Sequence, residues 1–363
     1  MFSLLHPEPR LIVHSDHPRN AEPPLDRLCA AAITPQRDFY VRCHGDVPQL
    51  DAARHRLRVG GLVATPLDLS MAELCERFPP RTTVAVLQCA GNRRAHMRRV
   101  RPVSGDPWAG GAIGNAQWSG VALADVLRAA GAGTGEDLHV VFTCCDACEV
   151  DGERFRYEAS IPMAKALSPE VLLAFEMNGA PLAPEHGFPL RAVVPGYAGV
   201  RSPKWLASIT VQDKPSSGHV PARDYKLFPP DVAKETADWD KGTTIYAMPL
   251  TAAICEPAAH AGLAAGAVTL RGYAVASGRA VARVDVSADG GRTWGQAALE
   301  HDAGAPWSWT LWQATLDLAP GEHELAVRAW DSAGQTQPAL PDDTWNFKGY
   351  LSAAWHRIPV TVR

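Results

Sequence analysis

Short apolar, β-branched runs separated by turn formers set the pattern of this chain. Val84-Ala85-Val86-Leu87 is one such run, and Ala90-Gly91-Asn92 ends it with small residues and a turn former that tolerates unusual dihedrals. The pattern predicts a buried strand that delivers Cys89 to a sharp turn. Phe39 to Pro48 and His139 to Phe142 read as further short strands, while Val121 to Leu127 carries apolar residues at helical spacing and predicts a core-facing helix. Beyond about residue 245 the period becomes two. Val268–Val275, Val281–Ser287, Trp309–Leu316, His323–Trp330 and His356–Val362 all alternate, with Asp289-Gly290-Gly291 as a hairpin signal. Several short strands with turns at regular intervals predict an immunoglobulin-like sandwich, without the Cys…Trp…Cys pattern of antibody domains. Residues 1–36, rich in proline and charge, read as an irregular arm wrapping the surface, and 213–244 as a polar linker. The expected division is therefore 1–36, 37–212, 213–244 and 245–363.

Composition narrows the class. A chain of 363 residues is too long for one ordinary core, so two domains are expected. Hydrophobic content of 46% and charged content of 20% suit a soluble globular protein. A formal net charge of -4 argues against a general nucleic-acid binder. No apolar run approaches the roughly 18 to 20 residues of a membrane span. Met1 to Glu8 lacks the basic and apolar order of a secretory signal, which points to the cytoplasm; a signal removed upstream would point to the periplasm instead. Eight cysteines form no regular framework, and a chain of this length needs no disulfides to fold. Cys145-Asp146-Ala147-Cys148 is a lone C-x-x-C without a second pair or a nearby histidine, so incidental thiols are favoured over zinc or redox chemistry.

Cys89 is the sharper candidate. A thiolate beside the Arg93 and Arg94 guanidiniums should be stabilised, and the thiolate is the form that binds metal or attacks electrophiles. The bland alternative is a small core hydrophobe. The octapeptide Leu87-Gln88-Cys89-Ala90-Gly91-Asn92-Arg93-Arg94 resembles the signature of the sulfite oxidase family of molybdenum enzymes. Further segments resemble the family in order: Phe39 to Pro48, Arg156 to Pro162, Leu172 to Gly179, His186 to Arg191, Val194 to Gly196, Arg201 to Leu206, Asp289 to Trp294 and Trp345 to Arg357. The resemblance covers roughly residue 37 to the C-terminus.

That resemblance implies an α+β molybdopterin-binding domain followed by an all-β, immunoglobulin-like dimerisation domain. It makes Cys89 the ligand to molybdenum. Phe39, Tyr40, Val41, Arg42, Cys43, Asp146, His186, Arg191, Ser202, Pro203 and Lys204 are then expected around the pterin and its phosphate. An anion clamp of Arg42, Arg94 and Lys348 is implied, with Tyr157 and Trp108 shaping the pocket and Trp118 packing in the core. Two departures stand out: Cys43 where the family usually has asparagine, and Lys348 where sulfite oxidases usually carry arginine. A lysine keeps the charge but loses the bidentate fork. The implied reaction is oxidation of sulfite to sulfate by a homodimer, with electrons leaving to an external one-electron acceptor such as a cytochrome c. Reduction of nitrate on the same scaffold, or a catalytically idle assembly role, are the alternatives. No stretch resembles the haem or flavin modules found in larger relatives.

Overall fold

The computed structural model describes residues 11–150 and 152–363. The frame is mostly β with few helices, of which the longest, Met71–Arg77 and Leu123–Ala129, have seven residues each. The helical spacing from Val121 is thus realised two residues later, because Val121 and Ala122 still belong to the strand Ile113–Ala122. Ser70 opens the first of these helices with a capping box, its hydroxyl accepting from the Glu73 N–H while the Glu73 carboxylate accepts from the Ser70 N–H. Among the described residues, no helix is long and apolar enough to cross a membrane.

Two five-stranded sheets build the first domain. One holds the cysteine strand Pro80–Gln88, paired antiparallel with Ile113–Ala122 from Pro80↔Val121 to Gln88↔Ile113. The other runs Leu67–Ser70, Arg56–Gly61, Leu206–Gln212, His139–Val150 and Glu153–Pro162 in spatial order. The expected strand at His139 to Phe142 is therefore longer, continuing through the C-x-x-C segment. Val59, Phe142 and Ile161 of this second sheet meet Val121 and Leu173 of the first in the main core, with Leu123, Val126 and Leu127 of the helix. Each of these side chains is almost wholly removed from water.

The second domain is two sheets face to face. Thr251–Glu256, Gly266–Val275, Thr310–Leu318 and Ala298–Glu300 form one; Gly262–Leu263, His356–Val362, Gly321–Asp331, Val281–Ser287 and Gly295–Gln296 form the other. Ile254, Leu270 and Trp312 interdigitate with Val284, Val327 and Ile358 between them. The alternating segments read from the sequence become these strands, shifted by a residue or two at Gly266, Thr310 and Gly321.

Three segments differ from the expectation. Of the N-terminal arm, residues 1–10 lie outside the described residues. The rest is not irregular: Ile12–Asp16 and Arg19–Glu22 form a hairpin whose second strand pairs with Val41–Arg42. Its Glu22 carboxylate is buried because it accepts from the backbone N–H groups of Ala109 and Gly111. The 213–244 stretch is no free linker either, since Val220, Tyr225 and Phe228 are buried and a π-helical turn spans Val220–Asp224. Finally, Cys29 and Cys255 are joined as a disulfide, against the expectation that no such link was needed. It ties the arm to the second domain.

Arg93 couples the two domains more widely. It is fully buried in a left-handed backbone conformation and donates to Thr251 Oγ1, Ala252 O and Ala354 O of the second domain and to His96 Nδ1 of the first. Arg93→Met would remove the side-chain donor from Ala252 O and leave Ala354 O only the long contact from Gln337 Nε2, at a cost of about 1 to 3 kcal/mol for each acceptor left unsatisfied. The expected outcome is a lower denaturant midpoint and earlier proteolytic cleavage between the domains, followed by tryptophan fluorescence and by limited proteolysis.

Candidate active site

The turn after the cysteine strand is held from three directions. Cys89 N–H donates to Ala112 O, Asn92 N–H donates to Cys89 O, and Leu351 N–H of the second domain donates to Ala90 O. Asn92 accepts from Ala112 N–H and donates to the Tyr273 hydroxyl, which in turn donates to Gly110 O. The Arg94 guanidinium lies over Gly91, 2.5 Å from where a Cβ would stand, so a side chain there would push the guanidinium aside. Cys89 is free and buried; its sulfur accepts from Gly91 N–H, and the residue lines a cavity of the first domain.

Phe39, Tyr40, Arg42, Cys43, His44, Cys89, Asp146, Tyr157, His186, Arg191, Ser202, Pro203, Lys204, Trp205 and Tyr225 line that cavity, together with Leu87, Glu185, Gly199 and Val200. Most of the expected site is therefore brought together. Val41 is the exception in its segment: it alternates away and packs with Trp205 and Leu11.

Three further candidates lie elsewhere. Arg94 donates to Lys348 O and Asp106 O, so its guanidinium braces the backbone behind the turn. Lys348 is drawn to a carboxylate, donating to Asp224 Oδ1 at 3.0 Å. Trp108 is buried in the core edge-on to His14. None of the three lines the cavity. The guanidiniums that share the cavity with Cys89 are those of Arg42 and Arg191, not that of either following arginine.

Sequence reasoning overlooked His44 and Tyr225, whose Nε2 and hydroxyl oxygen are 2.9 Å apart. Burial, with the charges of Arg42 and Lys204, pushes the His44 imidazole well below its ordinary pKa, and burial holds Tyr225 above its own. A neutral ring therefore faces a protonated phenol. Tyr157 also keeps its proton through burial, and its hydroxyl donates to Val200 O. His44 was visible in the Phe39 to Pro48 stretch; Tyr225 sat in an apparent linker with nothing to mark it.

Positive charge dominates the cavity. Arg191 donates to the carbonyls of Ala192, His186 and Ser202, and Lys204 donates to Cys43 Sγ and Glu185 O. None of the ion pairs among the described residues involves Arg42, Arg191 or Lys204. Burial lowers Arg191 to about 10, which leaves it charged at neutral pH, and burial lowers Lys204 too, against the opposing pull of Cys43. Asp146 is the one carboxylate among the buried lining groups; its Oδ1 has no partner, and burial raises its pKa to about 6 against the pull of Lys204. These features fit an anionic, polycyclic cofactor with a phosphate at one end and N–H donors at the other: two buried cations lacking an anion, an orphaned acceptor, and a soft sulfur in reach.

The family models place residues 44–220 in an oxidoreductase molybdopterin binding domain and 242–363 in a Mo-co oxidoreductase dimerisation domain. Sulfite oxidase of Gallus gallus is 45% identical over 360 residues, covering 96% of this chain and 77% of that one. The chain belongs to the sulfite oxidase family. Mitochondrial sulfite oxidase of Homo sapiens is 44% identical, with 98% of this chain matched to 66% of the relative's length. A nitrate reductase of Hordeum vulgare is further off at 38%, covering 95% of this chain and 41% of that protein. Among solved structures, the sulfane dehydrogenase SoxCD of Paracoccus pantotrophus superposes with a TM-score of 0.82 at 26% identity, covering 98% of this chain and 92% of that one. As a family member the protein is a molybdenum oxidoreductase with a molybdenum–molybdopterin cofactor.

Asp146 gives a pH signature. With its folded pKa above the unfolded value, it favours the protonated state, so its contribution to stability is present at low pH and lost as pH rises through about 6. Asp146→Asn should therefore stabilise the cofactor-free protein above pH 6 by up to about 3 kcal/mol, the gain vanishing near pH 4. Urea titrations of both proteins across pH 4 to 8 measure this; a constant difference would place the effect elsewhere.

Proposed function

We propose that this protein oxidises sulfite to sulfate, using Cys89 to hold molybdenum and Arg42 as the principal anchor for the substrate anion. The carrying observation is the shared cavity, lined by a free sulfur, the partly buried Arg42 guanidinium and two further cations, Arg191 and Lys204, that join none of the ion pairs among the described residues. The relatives named sulfite oxidase support the same substrate.

Arg191 and Lys204, with the Ser202 and Pro203 segment, would hold the phosphate, and Asp146 Oδ1 would accept from pterin N–H groups. Phe39, Tyr40 and His186 would line the ring, and Cys43 meets this cationic wall through its sulfur, which accepts from Lys204 Nζ. When bound, the molybdenum–pterin group supplies a two-electron acceptor and an exchangeable oxygen. The net change consumes one sulfite and one water and yields sulfate, two protons and two electrons.

The chain's own part is electrostatic and steric. Burial opposes charge on Arg42, yet its surroundings hold the guanidinium above its ordinary pKa and it stays ionised. It binds and orients the dianion through charge-assisted hydrogen bonds. The Tyr157 ring and the Tyr225 phenol narrow the space beside it, and neutral His44 Nε2 is placed to accept the hydrogen bond of the Tyr225 hydroxyl and so fix its direction. Lys348, paired with Asp224, acts at the rim as part of a neutral unit. The second domain, an immunoglobulin-like sandwich in our reading, mediates a homodimer, and a one-electron carrier such as a cytochrome c takes the electrons in turn.

Metal analysis with a sulfite assay against ferricyanide and cytochrome c tests this reading; absence of molybdenum, or nitrate reduction without sulfite oxidation, would overturn it. Cys89→Ser should stay folded, retain less molybdenum and lose turnover, since oxygen replaces the soft ligand. A fully active Cys89→Ser enzyme would remove the assignment at its centre.

Kinetics separate the two cations. Arg42→Met should raise the KM for sulfite by about 30-fold or more, the equivalent of roughly 2 kcal/mol for a truncated buried partner. Lys348→Met, by contrast, breaks a partly exposed pair and should shift KM by no more than about threefold. Equal effects of the two substitutions would return Lys348 to the anion clamp.

A further inference from the structure

The sheet that walls the cavity has a second face. Along His139–Val150, Asp146 lines the cavity while its neighbour Cys145 lines a separate cleft outside. Along Glu153–Pro162, Tyr157 lines the cavity and Arg156 the cleft. Successive residues of a strand point to opposite faces, so cavity and cleft are divided by a single layer of backbone. Consecutive Cα atoms on that layer are only about 3.8 Å apart.

Charge sets this cleft apart. Arg54, Arg56, Arg58 and Arg156 line it against one carboxylate, Asp51, a surplus of three positive charges on a chain of net charge -4. Arg56 is engaged by Asp68 and Glu73, and Arg54 reaches Asp51 only at 4.0 Å. Arg58 and Arg156 take part in none of the ion pairs among the described residues, and both are exposed. The strand Arg56–Gly61 explains the arrangement: Leu57 and Val59 turn into the core, which leaves both arginines outside.

We infer that this arginine-lined cleft is the docking surface for an acidic-faced protein that carries one electron at a time. The inference rests on the proposed function, which releases two electrons per sulfite and so requires two such carriers in succession, each reduced by one electron. Complementary charge would raise the encounter rate, and the single-layer wall would keep the carrier's redox centre close to the cavity.

The test uses the molybdenum-loaded enzyme and two probes, an acidic blue-copper protein and a basic c-type cytochrome. The wild type should show the lower KM for the acidic probe, rising steeply with salt. Arg58→Glu/Arg156→Glu should raise that KM at least tenfold and flatten the salt dependence, and Arg58→Gln/Arg156→Gln should give a smaller shift in the same direction. Anaerobic reduction of the metal centre by sulfite, read by stopped-flow absorbance, should be unchanged in both variants. A KM for the acidic probe that ignores the charge reversal, or a wild type that prefers the basic probe, would overturn the docking surface. Failure of sulfite to reduce the wild-type centre would overturn the proposed function, and this inference with it.

Discussion

A buried positive charge that the protein itself does not neutralise is the constraint around which this molecule is arranged. Arg191 and Lys204 have their hydrogen bonds satisfied by backbone carbonyls and one cysteine sulfur, but carbonyls solvate a cation without cancelling its charge. Removing unpaired ions from water is expensive, and a fold tolerates it when a bound anion completes the set. The cavity is therefore half of an ion pair whose other half is the cofactor. Asp146 is the complementary oddity: a carboxylate with a free oxygen in a cationic site, whose desolvation outweighs the pull of Lys204.

Such a site works only if its walls stay fixed, and much of the rigidity comes from the second domain. Arg93 threads into that domain's backbone, Leu351 pairs with Ala90, and Tyr350 stacks on Tyr225, the phenol that closes the cavity. The Cys29–Cys255 link and the Tyr273 hydroxyl add further ties. The substrate end therefore depends on the second domain through support rather than through a side chain reaching in. The two arginines following Cys89 serve this architecture: one clamps the domains together, the other braces the turn.

Regular elements were legible where burial imposes a period. The strands Val281–Ser287 and His356–Val362 match their alternation to the residue, because one face of each packs between the sheets. The arm and the apparent linker misled because prolines and charges mark surface, yet a hairpin can lie on a surface and Tyr225 can drop from one into a cavity. Residues spaced along consecutive motifs, from Phe39 to Lys204, converge as expected. What failed was the direction of long, flexible side chains. Arg94 and Lys348 have several rotatable bonds, and local acceptors decide where the charge goes: the carbonyls of Asp106 and Lys348 for the first, the Asp224 carboxylate for the second.

That last pairing changes how the anion must be selected. With Lys348 neutralised by Asp224 and Arg94 turned to the backbone, the cations on the cavity are Arg42, Arg191 and Lys204; a cofactor anion held by the last two would leave Arg42 as the unmatched guanidinium among aromatic rings and neutral donors. A field from several cations would attract any small anion with little regard to shape. One planar guanidinium offers donors in a fixed fork, and the Tyr225 phenol with His44 adds a hydrogen-bonding edge at a set angle to it. Recognition then depends more on geometry than on total charge. Asp224 occupies the residue directly before Tyr225, so the same short π-helical turn that removes the charge of Lys348 also places the phenol. Charge and shape at the mouth of the site are therefore set together by one segment of chain.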